Sequence, residues 1–362
     1  MSFLNPVRNF YSRYERPISS FSLVLGFVFD AVTLKRVDTL WENIWILAHL
    51  IVIGVFITLI HLKENDEGGE NNPEKAHFWY VNILQFFFGG IISTYLVFYF
   101  RSSDFFSTWP FLILLTIAFI ANESFKRHYI KLSFQISLFF LSIYSFAIFL
   151  VPVLMHDIGV STFLISGFAS LIFIALFLLI LFYFIKDKFT ESKKLIISLI
   201  LGIFALVNFL YFTNLIPPIP LSLKDGGIYH SVQKNSDGNY DVTYENYGWR
   251  GYLKLYQSFN MTAGEPVYAF SAIFSPKNLN LTILHEWQHY DEMQNKWTNE
   301  RIINLPVVGG RDGGFRTYSM RSNIAPGKWR VNIKTTQGQT IGQLRFNIRL
   351  ADTYPLLSDM VK

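Results

Sequence analysis

Five consecutive residues, His285-Glu286-Trp287-Gln288-His289, spell H-E-x-x-H. On a helix, histidines four apart stand on one face and can share a zinc ion, with the glutamate beside them as general base. That chemistry requires a helix, and the neighbouring residues argue for a strand. Leu279, Leu281, Ile283, His285, Trp287 and His289 fall on one parity. Asn280, Thr282, Glu286 and Gln288 fall on the other, with Leu284 the one apolar exception. The period is two, and the run is entered from Ser275-Pro276-Lys277-Asn278, a turn sequence. In a strand, positions four apart lie ~13 Å apart. Bonds to zinc are about 2 Å long, so two such histidines cannot share one ion. Glu300 and Asp312 are the remaining candidates for a third ligand. The longer metzincin pattern needs glycine and histidine where Glu292 and Asn295 stand. The segment is therefore read as a structural strand with a core tryptophan, and no catalytic residue, metal or cofactor is expected. The enzyme alternative is a membrane-tethered zinc protease with His285 and His289 as ligands and Glu286 as base.

A second set of residues could bind rather than catalyse. Between Lys328 and Arg349, Trp329, Val331 and Ile333 alternate with Arg330, Asn332 and Lys334. Leu344, Phe346 and Ile348 then alternate with Arg345 and Asn347. A two-residue turn at Gln337-Gly338 pairs Thr336 with Gln339, so Trp329 faces Phe346 and Val331 faces Leu344 on one buried side. The same register sets Arg330 opposite Arg345 on the outer face, with Arg349 further along. Facing like charges are unfavourable unless an acidic side chain or an anionic ligand lies between them. Solvated or acid-paired arginines are the plain reading. The sharper one is an anion-binding face made of Arg330, Arg345 and Arg349, for lipid head groups or cell-envelope polymers.

These strands belong to the last part of a chain whose first part is very different. The 362 residues are 51% hydrophobic and 16% charged, with no cysteine. Mean hydropathy is positive, whereas a soluble chain carries about a quarter charged residues. No disulfide or thiolate chemistry is available, and the net charge of +5 is too spread out for a nucleic-acid surface. Apolar runs at 44–62, 79–100, 105–121, 132–154, 161–185 and 195–216 each approach the ~20 residues that a bilayer crossing needs. A seventh candidate, 18–34, is shorter and carries Asp30. With seven spans and residues 1–17 in the cytoplasm, twelve Lys and Arg fall inside; Lys35, Arg36 and Arg101 fall outside. Seven spans satisfy the positive-inside rule, whereas six with the same N-terminus violate it. No cleavable signal peptide is expected.

Within the spans, Asp30 can pair with Lys35 or Arg36, and His49 lies about a turn inside its helix. Asn82, Gln85, Gln135 and Asn208 can bond neighbouring helices. A small-solute or ion transporter depending on Asp30 is a further alternative.

The run Ile216-Pro217-Pro218-Ile219-Pro220 ends the last helix, making 217–222 a linker and 223–362 a domain of alternating pattern. Strands are expected at 267–274, 300–308 and 315–321, with a glycine-rich turn at 309–314 and a less clear stretch at 223–260. The expected fold class is an α-helical polytopic membrane domain of about seven spans, then an all-β, immunoglobulin-like antiparallel sandwich.

The segments LTILHEWQHYDE and GGFRTYSMRSNIAPGKWRVNIKTTQGQTIGQLRFNI resemble the C-terminal domain of the bacterial domain-of-unknown-function family 2914. There a His-x-Trp strand precedes a Gly-Phe-Arg-Thr-Tyr-Ser-like strand and a Trp-Arg-Val hairpin. These map to His285 and Trp287, Gly314 to Ser319, and Trp329 to Val331. The resemblance implies no activity, and it implies that Glu286 and His289 complete the protease string incidentally. The N-terminal GFVFDAVTLKRVD followed by several helices is similar to the long membrane-bound members. Together with the Lys and Arg distribution, the expectation is a multi-pass protein of the bacterial inner membrane with its β domain outside the cytoplasm. The expected partners are the bilayer and, through the β domain, an envelope protein or anionic envelope ligand, with no nucleic acid.

Overall fold

The structure is a computed structural model, and it describes residues 24–34, 38–66, 73–102, 109, 112–113, 115–117, 119–120, 131–246, 254–311, 313–351 and 355–362. The chain divides into two compact units, one helical and ending at Thr213, the other built on Asn214–Lys362 and including Met155–Gly159.

The helical unit contains α1 (Val24–Thr33), α2 (Leu40–Asp66), α3 (Pro73–Ser102), α4 (Leu132–Met155), α5 (Val160–Phe184) and α6 (Lys186–Phe212). From α2 onward, five helices among the described residues are long and apolar enough to cross a membrane. The start of the expected span at 18–34 and most of that at 105–121 lie outside the described residues. Helix α6 begins at Lys186, so Lys188, Lys193 and Lys194 sit in its first turns rather than in a loop.

Polar side chains tie these helices together where lipid offers no partner. Gln135 of α4 meets His61 of α2 (Nε2 to Oε1, 3.0 Å), both fully buried. Asn208 of α6 donates to the Tyr144 hydroxyl of α4 at 3.2 Å. Asp30 accepts a hydrogen bond from Ser93 at 2.5 Å; its expected partners Lys35 and Arg36 lie outside the described residues. His49 turns back on its own helix, with Nδ1 2.9 Å from the Trp45 carbonyl.

The second unit has eleven described strands: β1 (Ser222–Tyr229), β2 (Ser231–Lys234), β3 (Tyr240–Glu245), β4 (Gln257–Met261), β5 (Val267–Phe274), β6 (Leu281–Asp291), β7 (Lys296–Val307), β8 (Phe315–Arg321), β9 (Gly327–Thr335), β10 (Thr340–Leu350) and β11 (Leu357–Val361). They form three sheets, ordered β1-β5-β8, β4-β10-β9-β6-β7 and β11-β3-β2. All pairs are antiparallel except β4 with β10, which is parallel.

Strand β5 shows why three layers form. Its sequence VYAFSAIF has no clean polar face, as expected of a strand covered on both sides. Val267 and Ala269 pack with Trp287, Trp329, Val331, Phe346 and Ile348 of the five-stranded sheet. Phe270 and Ala272 point the other way, against Val232 and Val242 of the third sheet.

The less clear stretch at 223–260 holds β1 to β4, with 247–253 outside the described residues. The glycine-rich 309–314 connects β7 to β8 as expected, and Asp312 lies outside the described residues.

In the β9–β10 hairpin the expected register holds, though not through the expected turn. Trp329 pairs with Phe346, Val331 with Leu344 and Arg330 with Arg345. The turn itself closes between Thr335 and Gln339, enclosing three residues, with Gly338 at φ +89°. A register shift between Thr340 and Gly342 makes Ile341 an extra residue on β10. The longer turn and the bulge each displace the pairing by one, in opposite senses, so the strands meet as a two-residue turn would have set them. Gly342 beside the bulge lets Leu223 pack closely, since a Cβ there would stand 2.4 Å from Leu223 Cδ2 and the leucine would have to shift.

Candidate functional site

H-E-x-x-H lies in the interior of β6, which pairs with β7 on one side and β9 on the other. Alternation sends His285 and Trp287 into the core and Glu286 and Gln288 to the opposite face.

His285 is fully buried, with Nε2 2.9 Å from Ser271 Oγ of β5 and Nδ1 2.8 Å from Ser319 Oγ of β8. Trp287 Nε1 donates to the same Ser319 hydroxyl at 3.0 Å. Burial pushes the His285 pKa down to about 3, so the ring is neutral and uses one nitrogen as donor and the other as acceptor. The His-x-Trp pair is thus a polar rivet between the two facing sheets. His289 sits further out, its ring 4.6 Å from that of Trp329 and its Nε2 3.3 Å from the Pro326 carbonyl.

Glu286 faces away from both histidines and binds Lys334 at 2.6 Å and Asn332 at 2.9 Å. Burial raises its pKa, but Lys334, Asn332 and the charge of Arg330 outweigh this and lower it overall. Glu300 holds Arg321 at 2.9 Å. The base and its supposed ligands therefore lie on opposite sides of a sheet, and both His285 nitrogens are occupied by serines. Among the described residues, no group of three or more His, Cys, Asp or Glu side chains can hold a metal ion.

The outer face of the same sheet carries the arginine set, and here the structure adds what the sequence reading missed. Arg345 Nε donates to Gln343 Oε1, whose amide nitrogen donates to Asn332 Oδ1. Asn332 Nδ2 donates to Gln288 Oε1 at 3.0 Å, and Gln288 Nε2 donates to Asn299 Oδ1. Gln343, Asn332 and Gln288 each have donor and acceptor ends committed, which fixes the relay's direction from β10 through β9 and β6 to Asn299 of β7.

Arg330 hangs on this relay. Its Nε donates to Gln288 Oε1 at 2.5 Å, and its guanidinium lies 4.2 Å from the Trp297 ring centre. Burial, and then the facing Arg345, lower the Arg330 pKa, while Tyr256 and Glu286 act to raise it. Arg349 is exposed near the end of β10. The one sequence signal for the relay is that Gln288, Asn332 and Gln343 occupy outer-face positions beside the arginines, visible only once strand pairing is known.

A second cluster escaped the sequence reading altogether. His230, 6% exposed, holds Glu265 through Nδ1 at 2.6 Å and Glu245 through Nε2 at 3.3 Å. Glu245 also accepts the Asn260 backbone and side-chain N–H groups, both at 2.6 Å. The two carboxylates lie on different nitrogens of one ring, so the cluster ties β3, β4 and the entry to β5 together rather than converging on a central ion.

A set of helices of membrane length followed by a strand-rich unit with a polar outer sheet face is therefore the class of protein these features define. Residues 280–348 match the family model described as "Protein of unknown function (DUF2914)", the family that the β6 and β8–β10 sequences resemble. No curated protein matches the chain. Among solved structures, a β-glucosidase from Listeria innocua in complex with gluconolactone shares 11% identity over 33% of this chain and 17% of its own, with a TM-score of 0.19. The alkylpurine DNA glycosylase AlkC of Pseudomonas fluorescens, bound to DNA containing an abasic site analog, shares 10% identity over 87% of this chain and 99% of its own, with a TM-score of 0.22. This chain spans only a small part of the β-glucosidase, and likenesses at these TM-scores carry no argument about fold or activity.

Proposed function

We propose that the protein is a seven-span bacterial inner-membrane protein that holds its C-terminal β unit outside the cytoplasm to bind an anionic envelope ligand. The two facing sheets act as an immunoglobulin-like sandwich, backed by the small third sheet.

The inward excess of Lys and Arg with seven spans supports the orientation. The α4–α5 connection supports two crossings after it, whichever side it lies on: Ile158 packs against the cluster of Leu221, Ile273 and Ile333 in the β unit, and two membrane-length helices, α5 and α6, return the chain from there to Asn214.

The observation that carries the binding role is the Arg330–Arg345 pair, directly opposed on the outer face with exposed Arg349 on the same strand. Opposed cations cost stability, and an anionic ligand turns that cost into affinity. The test is binding of the full chain in detergent to anionic lipid vesicles and acidic glycans. The double variant R330Q/R345Q should lose most of the binding, and unchanged affinity would overturn the role.

A further inference from the structure

We infer that Arg330, Asn299 and Trp297, on the outer face of the five-stranded sheet, form a site for a uronate, the carboxylate-bearing sugar unit of an acidic polysaccharide. This rests on the proposed anion-binding role and specifies its ligand.

The relay decides what the site offers. Arginine has only N–H donors, so an amide that meets one must turn its oxygen toward it. Gln343 does so to Arg345, and Gln288 does so to Arg330. Gln288 Oε1 therefore accepts from Arg330 Nε and Asn332 Nδ2, and its own amide nitrogen donates to Asn299 Oδ1. With that oxygen committed, Asn299 ends the relay with its Nδ2 in reserve, and it has no hydrogen bond there among the described residues. Asn299 is exposed. Arg330 has its Nε–H taken and its guanidinium 4.2 Å from the Trp297 ring centre. Its two terminal nitrogens have no hydrogen bond or ion pair among the described residues. One glutamine thus sets an arginine fork and an amide N–H2 about itself, with both acceptor oxygens between them used. Trp297 and Asn299 are two apart on β7, opposite Tyr290 and Gln288 of β6, so the indole shares the face. It is half-buried, and part of its ring stays open.

A surface that presents only donors around one cation selects an acceptor-rich anion. The fork matches both oxygens of a single carboxylate. The Asn299 N–H2 remains for an oxygen beside that carboxylate, and the indole for an apolar patch. A uronate supplies all three: the carboxylate, the ring oxygen on the adjoining carbon, and the C–H groups of the sugar ring. A phosphoryl dianion brings more charge than one fork matches. Glu286 also acts on Arg330, but Lys334 and Asn332 engage its carboxylate.

The test is calorimetric titration of the full chain, in a detergent without sugar, with oligogalacturonate, its methyl ester and acetate. The ester keeps the sugar and loses the charge; acetate keeps the carboxylate and loses the sugar. Oligogalacturonate should bind about tenfold or more tightly than either. R330K, which keeps the charge but lacks the fork, should weaken it about tenfold. N299D should do the same, because its carboxylate still accepts from Gln288 but offers an acceptor where the ligand needs a donor. W297A should weaken the oligomer about tenfold as well. Absent binding of oligogalacturonate, an ester that binds as tightly as the acid, or unaltered affinity in either R330K or N299D overturns the uronate site. If phosphatidylglycerol vesicles still bind and R330Q/R345Q abolishes that binding, the broader anion-binding role stands without the sugar; if vesicle binding is also absent, both fail.

Discussion

Two buried histidines of the β unit have their pKa values moved in opposite directions, and the pH dependence of stability follows from each. The unfolded chain protonates His285 near its ordinary pKa of about 6.5, whereas the folded chain resists until about 3. Its contribution is therefore complete above about 6.5 and is lost as pH falls toward 3. His230 behaves in reverse. Burial lowers its pKa, but Glu245 and Glu265 raise it overall, so its contribution is complete below the unfolded value and is lost as pH rises through the folded one. Glu245, lowered overall by His230 and Asn260 against the opposing effect of burial, contributes above its unfolded value and weakens as pH falls through the folded one. Denaturant titrations of the full chain, followed by tryptophan fluorescence, should show H230Q flattening the alkaline limb. In the same assay His285→Ala should cost about 2–4 kcal/mol at neutral pH, because it leaves two buried serine hydroxyls unpartnered and opens a cavity. A loss below about 0.5 kcal/mol would remove the rivet role. These contacts give His285 of β6 a role that needs no metal: the ring bridges two sheets.

At the scale of elements, the β9–β10 hairpin decides which side chains share a face. Its register places the arginine pair outside and Trp329, Phe346 and Ile348 inside. An alanine inserted after Gly342 should turn Leu344, Phe346 and Ile348 outward and cost more than about 3 kcal/mol, since a slip of one residue exchanges the faces. An alanine inserted between Thr336 and Gln337 should cost less than about 1 kcal/mol, because it only lengthens an exposed turn. Equal losses in unfolding measurements would show that register is not what holds the hairpin. Much of this element was legible beforehand, because apolar and polar residues alternate strictly along both strands. The compensating turn and bulge were not: local propensity is similar for either turn, and the bulge brings Gly342 against Leu223 of β1, a neighbour distant in sequence.

For the whole molecule, the absence of cysteine provides a clean topology test. A cysteine placed at Thr336 should react with an impermeant maleimide in intact spheroplasts, whereas one at Ser192 should react only after permeabilisation. The reverse pattern would invert the proposed orientation. The amino-acid sequence by itself determined the two-part division, the positions of the long apolar helices and the strand character of β6. Each follows from composition and period along a single segment, which neighbours in space do not alter. Only the tertiary structure decided the partners of the polar groups. Ser271 and Ser319 come to His285 from two other strands, Gln288 reaches Arg330 across a strand pair, and Glu245 and Glu265 close on His230 from different elements. Such contacts depend on sheet order and layer packing, which join residues far apart in the chain and leave no periodic trace in it.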